Sequence, residues 1–259
     1  MEKLKLFLGI LVCLNTAYVF ANDQDSTGTE RHIGGAVSLT QNGISLIPSF
    51  SLGKPAAIFD LSVGSKKLSF EPQFRFSMEG KPWTFLLWWR CKLVENKRFS
   101  MKIGAHPAVA FRERTYLVDG GFQDVLIAQK YLAGELTPSL RINKKLGIGL
   151  YYLYSHGFDH GATRNTNFTA FRLYVSHVKL SKELRFEAVP QLYILDLDGT
   201  NGLYANAILG LGHSKWPISI GSILSHVVSS DIKAGKDFIW NISLIYSFNR
   251  NYKRKSAES

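Results

Sequence analysis

Charged side chains recur at every second position in several long segments of this chain, and the chemistry they could do is the first question the sequence raises. Glu71 and Arg75, Arg90 and Lys92, and Lys102 and His106 fall on the polar parity of three successive alternating segments. If those segments are neighbouring strands, same-face residues meet as cross-strand or diagonal pairs, so the six form one charged cluster. Four are cationic and one is a carboxylate. That surplus cannot be cancelled by pairing inside the cluster, and it favours an anion over a cation. A second group on the same parity comprises Glu135, Arg141, Arg172, Arg185 and Glu187, and Asp60 joins the first half.

A different chemistry is suggested by Tyr154-Ser155-His156-Gly157-Phe158-Asp159-His160. A hydroxyl, two imidazoles and a carboxylate could serve a lipid hydrolase, with Ser155 and His156 in the leading roles. Adjacency in sequence is not triad geometry, however, and the fuller motifs of membrane-embedded phospholipases and deacylases are absent. An enzyme therefore ranks below the other readings. No metal site or cofactor is expected: His156 and His160 are four apart but on a loop, with no helix to aim two rings at one ion. Asp196-Leu197-Asp198-Gly199 lacks the remaining ligands of a calcium loop and reads as an Asp-Gly turn.

The elements that must position these residues follow a period of two. From Leu68 to Met78 the even positions are apolar and the odd ones polar, and the pattern returns around Phe99–Phe111, Leu184–Ile194 and Phe238–Phe248. Soluble sandwiches alternate too, but their strands average about 5–6 residues. These segments run to the roughly 9–11 residues that a tilted membrane strand requires. Past residue 21 no apolar stretch is long enough for a membrane helix. The expected fold is all-β: a transmembrane antiparallel β-barrel of twelve strands with short periplasmic turns and longer extracellular loops, in the bacterial outer membrane. The strands are read at 44–52, 56–63, 66–78, 82–94, 98–111, 123–142, 145–155, 166–180, 183–195, 202–213, 216–228 and 236–248, with 112–122 as an outer loop. Aromatics such as Trp83, Trp89, Tyr154 and Trp240 are expected on the lipid side. Tyr131, Tyr151, Tyr174, Tyr193 and Tyr204 are expected to crowd the lumen.

Domain organisation is read around that barrel. Residues 1–21, with Lys3 and Lys5 before an apolar core and Ala21 at the end, form a secretory signal peptide. Residues 22–43 are an N-terminal extension, 44–248 the barrel and 249–259 a basic C-terminal tail. The alternating aromatics of Phe238–Phe248 resemble the closing strand of bacterial outer-membrane barrels, which implies the barrel-assembly machinery as a partner. More broadly, Phe70-Glu71-Pro72-Gln73-Phe74-Arg75 and Trp240-Asn241-Ile242-Ser243-Leu244-Ile245-Tyr246 resemble outer-membrane β-barrels of Bacteroidetes-type bacteria, a group that implies the fold and brings no assigned activity.

The formal net charge is +11, and its placement argues against nucleic acid as a partner. The basic excess gathers at the short turns and tail, including Lys66, Lys97, Lys144, Lys182 and Lys215, while the outer loops are near neutral. Such a one-sided rim suits anionic outer-membrane lipid headgroups, or serves only as a solvated edge. Two functional readings stay open for the lumen. One is a narrow channel or transporter for small anionic solutes, governed by the charged cluster. The other is a structural or assembly barrel whose lumen is closed by Glu–Arg pairs.

Overall fold

A computed structural model of the chain describes residues 30–118, 121–232 and 236–253. Twelve strands make up almost all of it: β1 (Glu30–Thr40), β2 (Ala56–Ser65), β3 (Leu68–Ser77), β4 (Pro82–Glu95), β5 (Phe99–Val118), β6 (Gly121–Arg141), β7 (Leu146–Gly157), β8 (Asn165–Lys179), β9 (Leu184–Leu197), β10 (Thr200–His213), β11 (Ile218–Ser230) and β12 (Phe238–Lys253). Each pairs antiparallel with its sequence neighbours, and β1 pairs with both β2 and β12, which closes the barrel and leaves no free edge. Closure satisfies every strand's ladder internally, the condition for crossing hydrocarbon.

The period of two explains which side faces what. Phe59, Leu61 and Val63 on β2, Leu132, Leu136 and Leu140 on β6, and Trp240, Ile242, Leu244 and Tyr246 on β12 are all exposed on the outside. An apolar surface that continuous is the lipid-facing band of a membrane barrel. The opposite parity is buried and polar. The connections at one end all run two to four residues (66–67, 96–98, 142–145, 180–183 and 214–217), while those at the other include the longer 41–55 and 158–164 beside the short 78–81 and 198–199. The Asp198-Gly199 connection is the tight turn its sequence indicates, with both residues at positive φ (52° and 88°).

Four boundaries differ from those expected. Glu30–Thr40 belongs to the barrel as β1, so residues 22–43 are not an extension outside it; the signal peptide and residues 22–29 lie outside the described residues. The segment expected as the first strand, 44–52, is instead the body of the β1–β2 connection (41–55, here L1) and carries a 3-10 turn at Pro48–Phe50. Its Ile44-Ser45-Leu46 alternation mimics a strand, but Pro48 offers no ladder N–H, and Ile44 and Leu46 turn into the lumen. The count of twelve holds because one strand is gained as the other is lost. At the far end, Asn249–Lys253 of the expected tail continues β12, paired with Glu30–Gly34; residues 254–259 lie outside the described residues. The expected loop 112–122 is largely a β5–β6 hairpin paired through Val118↔Gly121. Above the membrane both faces meet water, so pairing persists where alternation stops.

Candidate functional site: an occluded lumen

The inward face of the barrel is built row by row from the strand registers. On β4, β5 and β6, Arg90, Gly104 and Glu135 lie in one cross-strand row. The middle residue has no side chain, so the two charges on either side reach across it. Arg90 Nε donates to Glu135 Oε1 at 2.6 Å, and Arg90 Nη1 donates to Glu71 on β3. Tyr151 on β7 donates its hydroxyl to Glu135 Oε2 at 2.8 Å. A Cβ on Gly104 would lie 2.9 Å from Glu135 Oε1 and 3.1 Å from Arg90 Cγ. Gly104→Ala is therefore expected to lower the temperature at which the barrel loses its heat-modifiable mobility, at the overpacking cost of about 1–3 kcal/mol. An unchanged transition would mean that the pair tolerates separation.

Rings and amides carry the network around the wall. Arg90 lies over the Trp88 ring (4.2 Å), whose other neighbour is His106 (3.9 Å between ring centroids). Arg172 on β8, 1% exposed, lies over Tyr151 (3.8 Å) and donates Nε to Gln191 Oε1 (2.7 Å); Gln191 in turn reaches Asn206 (3.4 Å). Among the described residues Arg172 has no carboxylate within 4.0 Å, and its Nη1 lacks a hydrogen-bond partner. On the other side, Asp60 accepts from Gln73 and Gln73 accepts from Arg75, which also lies over Trp83 (5.1 Å). The result is a polar belt at mid-height, from β2 to β10.

The two groups read from the sequence thus meet. Glu135 was set apart from Glu71 and Arg90, and it is the second carboxylate that the first cluster needs, so the expected local surplus of four cations against one carboxylate is reduced. Lys102 sits opposite Lys92 and Thr137. Lys92 stands at the turn end, paired with Glu95 at 2.9 Å. Arg141, Arg185 and Glu187 are also toward the turn end, with Glu187 3.9 Å from His177. The five lumen tyrosines are all buried.

Trp83 corrects the aromatic assignment. It is 3% exposed and points inward, because the β3–β4 register slips at Arg75/Phe76 and turns the extra residue away from lipid. Nothing in the alternation signals that slip. Trp88, Gln73, Gln191 and Asn206 also lie on the inward parity that the alternation marks, for uncharged residues as much as for charged ones.

Above the belt sits L1. Its body is tied mostly to itself: Gly43 N–H donates to Lys54 O and Leu52 N–H to Gly43 O, both 2.8 Å, and Ser45 N–H to Ser51 Oγ at 2.9 Å. Ile44 and Leu46 are seated among Tyr151, Phe168, Tyr193 and Tyr204, of which Tyr193 and Tyr204 stack at 4.9 Å. Phe50 meets the Tyr131 ring edge-on at 5.3 Å with Arg112 over it at 4.8 Å, and Trp83 Nε1 donates to the Phe50 carbonyl at 2.8 Å. At the rim, Glu113 takes Lys54 (3.4 Å) and Lys81, which hold its carboxyl below the usual range. A cleft of about 220 Å³ beside L1 is lined by Phe50, Lys54, Lys81, Trp83 and Arg112 among others.

The hydrolase constellation does not assemble. Asp159 accepts from the Lys130 backbone N–H (2.6 Å) and pairs with its ammonium (3.3 Å), while the His156 ring contacts Asn165 (3.2 Å) and Phe158.

No protein-family model matches this chain, and no curated protein does. Among solved structures, an outer membrane channel from Pseudomonas putida F1 aligns over 88% of this chain and 97% of its own at 9% identity, with a TM-score of 0.50. LpxR from Salmonella typhimurium aligns over 83% and 99% at 11% identity (TM-score 0.46), and the beta domain of the Bordetella autotransporter BrkA over 85% and 98% at 7% identity (TM-score 0.46). At such identities the likeness is one of fold, that of bacterial outer-membrane β-barrels.

Proposed function

We propose that this chain is a narrow outer-membrane channel for small anionic solutes, shut by L1 in the conformation described above. The observation that carries the reading is a self-contained loop seated over a belt in which Arg172 is buried and, among the described residues, has no carboxylate within 4.0 Å. A barrel needed only as a scaffold could fill twelve strands with apolar and aromatic side chains. Keeping Arg172 buried beside a tyrosine ring and an amide costs several kcal/mol unless hydration or an anion compensates. Cationic groups on a narrow lumen raise the local concentration of anions, which is how a pore of this size selects. A closed structural or assembly barrel is the second reading, favoured by the Glu71–Arg90–Glu135 bridge along the lumen wall. The barrel-assembly machinery belongs to both readings through the aromatic closing strand, and a Bacteroidetes-type source rests on the two sequence phrases around Phe70 and Trp240.

The test is ion preference. In planar bilayers under a potassium chloride gradient, barrels with L1 loosened are expected to reverse toward the chloride potential, and Lys102→Gln with Arg172→Gln to shift reversal toward zero. Reversal toward the potassium potential would overturn the anionic assignment.

A further inference from the structure

The two ends of the barrel treat their cations differently. At the loop end Lys54 and Lys81 are paired with Glu113, and Lys130 with Asp159. At the turn end Lys97, Arg98, Lys144, Lys145 and Lys182 are exposed and, among the described residues, have no carboxylate within 4.0 Å. Arg164 and Lys236 at the loop end also lack a carboxylate, and Lys92 and Lys215 at the turn end have one in Glu95 and Glu183, but these five cations sit together on three successive turns, a cluster without its counter-charge. The same turns also expose apolar side chains: Ile142 beside Lys144, Leu180 beside Lys182 and Trp216 beside Lys215, each more than half exposed.

We infer that the turn end is a binding collar for the phosphates of anionic phospholipids. An apolar or indole group within three residues of a lysine matches the step from acyl chain to headgroup, with the ring or aliphatic chain at the boundary and the ammonium at phosphate level. A soluble polyanion would use the cations and leave Ile142, Leu180 and Trp216 in water; a lipid leaflet takes both. The collar orients the protein, setting the turn end against the phospholipid leaflet and the L1 end outward. It is independent of whether the lumen conducts.

Trp216 reports the test. Full-length barrel is reconstituted into phosphatidylcholine vesicles containing a minority of chain-brominated phosphatidylglycerol or, separately, chain-brominated phosphatidylcholine. The Trp216 contribution is isolated by difference from Trp216→Phe. Brominated phosphatidylglycerol is expected to quench it severalfold more effectively at low salt, with the two lipids converging at high salt as screening shortens the reach of the lysines. Lys144→Gln/Lys145→Gln/Lys182→Gln is expected to lose most of the preference while keeping heat-modifiable mobility. Equal quenching by the two lipids in the unmodified barrel at low salt would overturn the collar. So would a preference that survives high salt, a measurement that needs no variant to fold. Displacement of phosphatidylglycerol by lipopolysaccharide, but not by cardiolipin, would place the collar in the other leaflet and overturn the orientation.

Discussion

Replacing Arg90 with methionine is expected to cost the barrel about 3–5 kcal/mol, seen as a marked fall in the temperature at which it shifts from folded to unfolded mobility. The size follows from what is left behind rather than from what is removed. Arg90 is the shared partner of Glu71 and Glu135, and the Glu135 side chain is only 4% exposed. Without the guanidinium, Glu71 keeps its hydrogen bond from Ser69 and Glu135 its hydrogen bond from the Tyr151 hydroxyl, but both carboxylates lose their shared arginine. Adding Glu71→Gln and Glu135→Gln to the methionine variant is expected to restore much of the loss, because neutral amides carry no unpaired charge. A methionine variant as heat-stable as the parent would remove the bridge from any account of what holds the lumen together.

The second large effect concerns L1. Trp83→Ala removes the hydrogen bond to the Phe50 carbonyl and leaves a void beneath the loop, together worth about 2 kcal/mol of seating, or roughly 30-fold in the ratio of closed to open. Trp83→Phe keeps most of the packing and loses the indole donor, so its shift is expected to be roughly fivefold, from about 1 kcal/mol. Single-channel open probability measures both, and an order in which phenylalanine opens the barrel more than alanine would contradict the seating described.

Barrel class, strand number and the inward placement of the charges were legible because lipid on one side and a polar lumen on the other impose a strict period of two. What escaped was whatever breaks that period or mimics it. Ile44-Ser45-Leu46 alternates as faithfully as any strand, yet its apolar residues are satisfied by lumen tyrosines, which alternation cannot distinguish from lipid. Glu30–Thr40 falls inside the 22–43 segment expected outside the barrel, and the expected number of strands matches only because the strand expected at 44–52 is absent. Trp83 depends on a one-residue slip, and the Arg90–Glu135 bridge on a register that sets Gly104 between them. Neither follows from local pattern, since both are properties of which strand lies opposite which residue.

If L1 closes a conducting lumen, its removal opens it, which is read from the current through single barrels in which residues 44–52 are replaced by a glycine-serine linker of equal length, recorded beside the unmodified protein. The unmodified barrel is predicted to be closed for nearly all of the record, and the replaced one to conduct steadily with chloride preferred over potassium. Silence from a replaced barrel that is folded by heat-modifiable mobility would contradict the claim and leave the Glu71–Arg90–Glu135 belt as a permanent seal.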